Sequence, residues 1–574
     1  MNRIRKKGTG LLLAVAMLFT VSSCDLFELD INNDPNNPAQ ASLSLLLTNV
    51  ELNASSTFAG GLNNSTMGFM ALNTSTDDYN MTNSSWNGTW NYLYSNPLKD
   101  LDGILKVTAQ QRADGAPNPY YEGIAKVLKA YYFSLMVDLW GDLPYSQAFN
   151  GDASEQNLAP VFDDDAAIYA NLIQLLDEAV AHFQTETSPV SIQGDVIYGG
   201  SNTNIRNRWS AAANSLKLKL LLQTSRADAS AVAQIQAMIT TPPAGGFITA
   251  AAGDFQFTFG NLQNPDDRHP MYQAGYAGGE AGYSYFGHQL MYEMLLNNDP
   301  RRPFYFKRQT STVLDPADPT DKQTIPCSQR TDCKYGYFPL SNFVTQGLYG
   351  VAPSALTNSQ RTFLAGFFGR DRADPSGIPN DNPLRTTVGL YPSGGLYDDG
   401  PELGGGNKGR GDGIFPMLTS WMVKLHQIEA VLALGVTGPN PRTLFQQAMQ
   451  EQFAKVNTFV SKDGGAVAIT NAARDTYINA QLALYDAAAD NNARLRVVLK
   501  QAWFMNFGNG HELYTTFRRT GLPNDLQTPL QLPRQFALRL PYAQDEINLN
   551  SNTPSVVYDS PANAVFWDVL KFQF

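Results

Sequence analysis

The sequence is poor in the residues on which metal and acid–base chemistry most often depends. It has 5 histidines and 3 cysteines among 574 residues. His511 and Glu512 lack the second histidine of the H-E-x-x-H zinc motif. Gly404, Gly406 and Gly409 have the GxGxxG spacing, but they follow no predicted strand, which the dinucleotide-binding motif requires. The sequence therefore predicts no metal, no cofactor and no enzymatic activity.

Charge is also scarce and mostly of one sign. Charged residues make up 16% of the chain, below the typical ~25%, and the formal net charge is -11. Phosphate binding needs basic patches, so an acidic chain is a poor candidate for a nucleic-acid partner. Beyond the N-terminus no apolar run reaches the roughly 20 residues that a membrane-spanning helix needs.

The N-terminus has the three-part pattern of an export signal. Four basic residues within the first seven precede the apolar run Leu11 to Val21, and the sequence VSSC then ends in Cys24. Two interpretations remain: Cys24 is acylated, as in a bacterial lipoprotein, or it is incidental to an ordinary cleaved signal peptide. The small residues before Cys24 favour the first. We therefore predict a signal peptide over 1–23, a lipid anchor and tether over 24–41, and attachment to a membrane through acyl chains.

The two other cysteines, Cys327 and Cys333, lie close together in the segment CSQRTDC. An exported protein meets an oxidising compartment, which favours a disulfide between them. Two free thiols or a metal site are the alternatives. The metal site is disfavoured because no histidine lies nearby and the spacing differs from that of zinc ligands.

Apolar residues recur at intervals of three and four over most of the remaining chain. This period predicts consecutive amphipathic helices with short connections. The predicted helices cover Tyr120 to Leu139, Ile168 to Phe183, Trp209 to Arg226, Met417 to Gly435, Leu444 to Val460, Ala473 to Ala489 and Arg494 to Phe507. We predict a mainly α fold, a solenoid-like scaffold of helix hairpins over 42–574, although no fixed-period repeat is visible.

Long polar, aromatic and glycine-rich stretches interrupt the helical pattern at 63–94, 251–285 and 310–413. They are predicted to be irregular, and the last two are predicted to be insertions in one domain. Long irregular segments are usually functional, and binding residues are concentrated on loops that a rigid scaffold holds. The sequence thus places function on these loops.

Aromatic residues among small polar residues and glycines are the best candidates for ligand contacts. Sugars and peptides both have apolar faces edged with polar groups, and an aromatic ring suits either. The candidates are Tyr79, Trp86, Trp90, Tyr92, Tyr283 and Tyr285. The four-residue spacing of Trp86, Trp90 and Tyr94 also fits one face of a helix packed into the core. For the two tryptophans this spacing favours the core.

Several segments resemble, in order along the chain, the hallmarks of the SusD/RagB family of Bacteroidetes outer-membrane lipoproteins. They include VDLWGDLPYSQAF, LLNNDPRRPFYF, the helix and FRRTGLP segment ending at Pro523, and RLPYAQDEINLN. Ala543 stands where the family usually has proline, and Tyr514 where tryptophan is commoner. The resemblance spans nearly the whole chain after Cys24.

This resemblance implies a TPR-like helical superhelix with loop-rich insertions, anchored on the extracellular face of the outer membrane. It implies that the protein binds oligosaccharides and delivers them to a SusC-like TonB-dependent transporter, without covalent chemistry. A peptide ligand is the alternative within this class. A secreted glycoside hydrolase would need two carboxylates at a fixed separation, and the sequence nominates no such pair. A structural adhesion protein would predict β-rich repeats, which are not found.

Overall fold

The computed structural model describes residues 42–74, 81–151, 157–277, 285–311, 318, 366–374, 385–401, 409–530 and 536–573. Its helices are α1 (Leu43–Thr57), α2 (Asn63–Phe69), α3 (Asn87–Ser95), α4 (Pro97–Ala113), α5 (Pro119–Trp140), α6 (Asp165–Thr185), α7 (Asn202–Thr224), α8 (Ser230–Thr240), α9 (Pro270–Tyr272), α10 (His288–Leu296), α11 (Arg302–Tyr305), α12 (Ser420–Leu434), α13 (Pro441–Asn457), α14 (Asn471–Ala487), α15 (Asn491–Met505), α16 (Gly510–Thr520) and α17 (Gln544–Leu549).

Short strands join distant parts of the chain in antiparallel pairs. The strands are β1 (Asn73–Thr74), β2 (Leu143–Pro144), β3 (Phe162–Asp163), β4 (Phe255–Thr258), β5 (Tyr285–Phe286), β6 (Phe306–Lys307), β7 (Thr387–Val388) and β8 (Ile414–Leu418). Within the described residues, β1 pairs with β5, β2 with β3, β4 with β8 and β6 with β7. These pairs tie the loop-rich segments to the helical part.

The helices pack mostly against their neighbours in sequence. From α4 to α8 each helix contacts the next, and α12 to α15 repeat this arrangement; α7 contacts α12 across the two series. A large hydrophobic core, which includes residues from Leu47 to Trp567, runs through both series, and a smaller one joins α8 to α7 and α12. The predicted mainly α, TPR-like fold class is confirmed. The division into a tether and one domain stays a prediction, and residues 1–41 lie outside the described part.

Helix α5 is the centre of the scaffold and is buried on almost all sides. It begins with Pro119 in its first turn and ends at Gly141, whose φ of 74° favours glycine. The last carbonyls of a helix lack partners within it. Arg518 donates to the carbonyl of Asp138 at 2.5 Å, and Arg539 donates to that of Trp140. The two arginine side chains therefore close the C-terminal end of α5.

Arg519, the neighbour of Arg518, contacts a different helix. Its side chain forms two hydrogen bonds, of 2.7 and 2.8 Å, with the carboxylate of Glu429 on α12. Arg519 therefore joins α16 to α12 and does not cap a helix. Adjacent side chains of a helix point about 100° apart, so Arg518 and Arg519 face different neighbours. The sequence RRTG alone does not show which neighbour each arginine meets.

The predicted helices are present, and their ends differ by a few residues. Asp164 accepts a hydrogen bond from Ala167 N at 3.0 Å and so caps the start of α6. The helix predicted from Met417 begins instead at Ser420. Residues 414–418 form β8, because they pair with Phe255–Thr258 of β4. Tertiary pairing has overridden the local helical period here.

The prediction that 63–94 is irregular is wrong. The described residues of this stretch include α2, β1, a short 3-10 turn at Asn83–Trp86 and all but the last residue of α3. Asparagine, serine and glycine are weak helix formers, but Met67, Phe69 and Leu93 are buried in the core. Their packing stabilises helices that the composition does not favour. No described helix combines the length and apolar character required to cross a bilayer.

Candidate ligand-binding site

A cavity of about 460 Å³ opens where α1 meets α2, and we call it the aromatic cavity. It is lined by Ala59, Gly60, Gly61, Asn64, Ser65, Asn73, Trp86, Pro270, Met271, Ala274, Gly275, Tyr285, Phe286, Arg385, Thr386, Thr387 and Val388. These residues come from three parts of the sequence, between residues 59 and 86, between 270 and 286, and between 385 and 388. The volume is within the roughly 300–1,000 Å³ of small-molecule sites.

The segment Phe58–Leu62 opens the cavity. It forms a π-helical turn between α1 and α2, with non-helical backbone at Gly60 (ψ -125°). Such turns often occur at functional sites. Gly60 and Gly61 carry no side chain, and a Cβ at Gly61 would lie 3.9 Å from the Trp86 ring. The two glycines thus leave space beside the indole that larger residues would occupy.

The aromatic wall of the cavity is held from several sides. Tyr285 lies on β5 and pairs with Thr74 of β1. The guanidinium of Arg385 lies 3.9 Å from the centroid of the Tyr285 ring, within the range of a cation–π contact. Trp86 is only 8% exposed, and Phe286 contacts Phe306 and Phe507 behind the wall. The rings are therefore fixed before any ligand binds.

The polar groups of the cavity are amides and hydroxyls rather than acids. Asn73 donates to Asn64 at 2.7 Å, and the hydroxyl of Thr386 accepts from Phe368 N at 2.8 Å. Among the described lining residues there is no aspartate, glutamate or histidine, and Arg385 is the one charged residue. The cavity offers stacking surface and hydrogen bonds.

A second, more open cleft adjoins the aromatic cavity and shares Gly60, Gly61 and Pro270 with it; we call it the polar cleft. Its volume is about 550 Å³. Its other lining residues are Asn53, Ser56, Thr57, Gly88, Thr89, Tyr92, Phe259, Asp266, Asp267, Arg268 and Gln273. A ligand longer than the aromatic cavity could continue into this cleft.

The acidic groups of the polar cleft are already engaged. Asp266 and Arg268 form an ion pair at 2.6 Å, and hydrogen bonds from Arg268 hold the pKa of the Asp266 carboxyl below its usual value. Asp267 accepts from Leu262 N at 2.7 Å. The carboxylates thus hold the loop 260–268 together.

The structure brings some of the predicted ligand residues together. Trp86 and Tyr285 line the aromatic cavity, and Tyr92, which is 40% exposed, lines the polar cleft. Trp90 is 2% exposed and lines neither: its ring packs on Trp140 and its N–H donates to Glu546 at 3.2 Å. Tyr79 and Tyr283 lie outside the described residues, as do Cys24, Cys327 and Cys333.

Sequence reasoning missed the glycine pair and the apolar residues that complete the cavity. Gly60 and Gly61 interrupt a helical pattern in FAGGL, which was a usable signal of a break beside a site. Met271, Val388 and Arg385 carry no comparable signal in their local sequence. Pairing of β6 with β7 is what brings 385–388 next to this surface.

Asp142, Asp164 and Asp165 form an acidic cluster whose carboxylate atoms lie within 4.8 Å of one another. Each of them accepts a backbone hydrogen bond. Asp142 accepts from Asp165 N at 3.0 Å, Asp164 caps α6, and Asp165 accepts from Phe566 N at 2.9 Å. These contacts fix the start of α6 against the C-terminal segment. Each of the three carboxylates therefore has a structural role.

The fold and the aromatic cavity describe a helical-superhelix protein with a candidate ligand site beside the junction of α1 and α2. The family model described as "Starch-binding associating with outer membrane", of the SusD-like type, matches residues 35–319. The comparison with curated proteins found no match.

Solved structures resemble the whole fold. A SusD homologue from Bacteroides fragilis is 19% identical with a TM-score of 0.64, and covers 92% of this chain and 99% of its own. A SusD/RagB family protein from Bacteroides thetaiotaomicron is 16% identical with a TM-score of 0.63, and covers 92% and 99%. A chitin-binding SusD homologue from Flavobacterium johnsoniae is 16% identical with a TM-score of 0.61, and covers 92% and 98%. The chain belongs to the SusD/RagB family.

Proposed function

We propose that this protein is a cell-surface lipoprotein that binds oligosaccharides and delivers them to a SusC-like TonB-dependent transporter. In this proposal Cys24 carries the acyl chains, and the anchored protein faces the outside of the outer membrane. Ligand contacts come from Trp86 and Tyr285 in the aromatic cavity and from Tyr92 in the polar cleft. Tyr79 and Tyr283 remain candidates from the sequence.

The observation that carries the proposal is the aromatic cavity and the polar cleft that continues from it. Fixed rings next to amides and hydroxyls suit the apolar face and polar edge of a sugar. An open polar continuation suits a chain of sugars better than a single small molecule. The family's description as starch-binding and the chitin-binding relative from Flavobacterium johnsoniae support a carbohydrate.

A hydrolase receives less support from the same surface. Glycoside hydrolysis needs one carboxyl with a raised pKa to act as acid and a second carboxylate across the scissile bond. The described lining of the aromatic cavity contains no carboxylate. In the polar cleft, Arg268 lowers the pKa of Asp266, which is the opposite of what a general acid requires.

Peptides remain the second candidate ligand, since they too present apolar and amide groups. Isothermal titration calorimetry of residues 25–574 against a panel of oligosaccharides and a peptide mixture separates the two. We expect heat from one glycan class, with the glycan recovered intact. Binding of peptides alone would replace the proposed ligand, and hydrolysis of the glycan would overturn the binding-protein role.

Ala274→Leu tests whether the cavity is the place of binding. Ala274 is half-buried in the cavity lining, so the larger side chain fills ligand space. We expect weaker binding with an unchanged Tm. Ala483→Leu is the matched control, because Ala483 is exposed on α14. Equal affinities for the two variants would place the ligand elsewhere.

The anchor is tested separately with Cys24→Ser. Loss of the acylated residue should release the protein from the membrane fraction, since acyl chains supply about 0.8 kcal/mol for each buried CH₂. Persistence of the variant in that fraction would count against lipidation. Co-purification of the wild-type protein with a TonB-dependent transporter would test the proposed partner.

A further inference from the structure

Trp86 differs from every other tryptophan in the chain. The sequence has 7 tryptophans, and all of them are described. In six, the indole N–H donates to a protein acceptor at 2.7–3.2 Å: Trp90 to Glu546, Trp140 to Pro541, Trp209 to Asp195, Trp421 to Asn506, Trp503 to Met70 and Trp567 to Asp138. The Nε1 of Trp86 is buried and has no hydrogen-bond partner among the described residues.

An unpaired buried N–H is costly, and native proteins rarely keep one without a reason. Trp86 is more than nine-tenths buried and belongs to the lining of the aromatic cavity. A ligand that brings an acceptor oxygen to this indole would satisfy the donor. The cavity therefore favours ligands with an oxygen acceptor held close to an aromatic ring.

The wall around Trp86 restricts the rest of the ligand. Ala59, Met271, Ala274, Phe286 and Val388 present carbon and sulfur atoms, which do not pair with sugar hydroxyls. An unmodified hexose carries hydroxyls around its ring, and burying them against this wall would leave several unpaired. A group that combines one acceptor with a methyl fits the wall better.

We propose that the aromatic cavity is a subsite for a sugar that carries an acetamido group. The carbonyl oxygen of the group accepts from Trp86 Nε1, and its methyl packs on the wall formed by Met271, Ala274 and Val388. The hydroxyls of Ser65 and Thr387, which line the same cavity, are acceptors for the amide N–H. This inference rests on the proposed function and specifies its substrate class.

Gly275 provides a further reason to assign Thr387 to this subsite. A Cβ at Gly275 would lie 2.6 Å from the hydroxyl oxygen of Thr387. Because Gly275 has no side chain, the Thr387 hydroxyl has room to lie in the cavity wall. Thr387 is itself held by β7, which pairs with β6.

Two tetrasaccharides that differ in one substituent test the proposal. Chitotetraose and cellotetraose share the β-1,4-linked backbone, and only the first carries acetamido groups. We expect calorimetry to show chitotetraose binding at least about tenfold more tightly, since one hydrogen bond and one buried methyl separate the two. Equal affinities would overturn the acetamido subsite and leave carbohydrate binding standing. Failure of chitotetraose to bind would also overturn it.

Trp86→Phe removes the indole N–H and keeps an aromatic ring. It should weaken chitotetraose binding by about tenfold and leave cellotetraose binding nearly unchanged. Trp421→Phe is the matched control, because that indole donates to Asn506 in the core and lines neither the cavity nor the cleft. An unchanged chitotetraose affinity in Trp86→Phe would overturn the proposal. Binding of peptides without any sugar would overturn the proposed function as well.

Discussion

The surroundings of Trp90 and Trp86 differ although the two residues are one helical turn apart. Trp90 is enclosed by Trp140, Tyr94 and Tyr542, and its N–H is paired with Glu546. Trp86 lies beside two glycines at a cavity, and its buried N–H is unpaired among the described residues. The six other tryptophan donors are satisfied within the scaffold, whereas the donor of Trp86 is the one that we propose for a ligand.

The same contrast holds for charge. In the scaffold, buried arginines join separate elements. Arg518 and Arg539 donate to carbonyls at the end of α5, and Arg519 pairs with Glu429. In the aromatic cavity, Arg385 contributes its guanidinium to the face of Tyr285. These four buried arginines either join elements of the scaffold or support the wall of the aromatic cavity.

The largest expected effect is on stability. Trp90→Ala should lower the free energy of unfolding by about 3–5 kcal/mol, because it empties a core site and removes the donor to Glu546 Oε2. Trp86→Ala should cost less, since its ring borders space that is already open. Denaturant unfolding of both variants measures the difference. Equal losses would mean that Trp86 is a core residue like the others.

The contact between the start of α6 and the C-terminal segment should make the free energy of unfolding depend on pH. Burial, together with Asp142 and Asp164, raises the pKa of the Asp165 carboxyl to about 6. Between about pH 4 and 6 the Asp165 carboxyl is therefore protonated in a larger fraction of folded molecules than of unfolded ones. The free energy of unfolding consequently falls as pH rises, by about 2–3 kcal/mol.

Asp165→Asn removes this titration. We expect the variant to gain stability over the wild type as pH rises from 4 to 7, because the amide cannot ionise and its oxygen can still accept from Phe566 N. Unfolding curves at a series of pH values measure the difference. A difference that does not change with pH would contradict a protonated Asp165 in the folded protein.

On the ligand side, Trp86→Ala should raise the Kd for the bound oligosaccharide by about thirtyfold. This corresponds to about 2 kcal/mol, which is typical when a buried aromatic anchor is truncated. Calorimetry with the wild type and the variant measures the ratio. A ratio near one, with the protein folded, would remove Trp86 from the ligand site.

The smallest effect is expected at the polar cleft. Tyr92 is 40% exposed, so Tyr92→Ala should weaken binding only about threefold, or well under 1 kcal/mol. Tyr92→Phe keeps the ring and should bind like the wild type. The effect should appear with tetrasaccharides and vanish with disaccharides too short to reach the cleft. A loss equal for both lengths would contradict an extended site.

The helical fold could be predicted because its signal is local. Periodic apolar residues mark α5, α6 and α12 to α15, and Gly141 and Gly435 mark helix ends. The errors arose where contacts between distant segments determine the secondary structure. β8 replaced the first turn expected of α12, and core packing made α2 helical.

The candidate ligand site could be predicted only in part. Trp86, Tyr92 and Tyr285 were candidates from composition and line the cavity or the cleft, but a spacing of four could not show that Trp86 faces a cavity and Trp90 the core. The cavity combines residues 59–65, 73 and 86 with 270–275, 285–286 and 385–388. Their meeting depends on strand pairing across more than one segment, which one sequence does not reveal.

The indole N–H signals of the 7 tryptophans test the central claim most directly. They can be followed by NMR in tryptophan-labelled protein, with Trp86→Phe assigning the signal of Trp86. On saturation with the tightest-binding oligosaccharide, the account predicts that the Trp86 signal moves most and that the six paired indoles change little. An unmoved Trp86 signal with ligand bound, or a largest change at Trp421 or another core tryptophan, would contradict it.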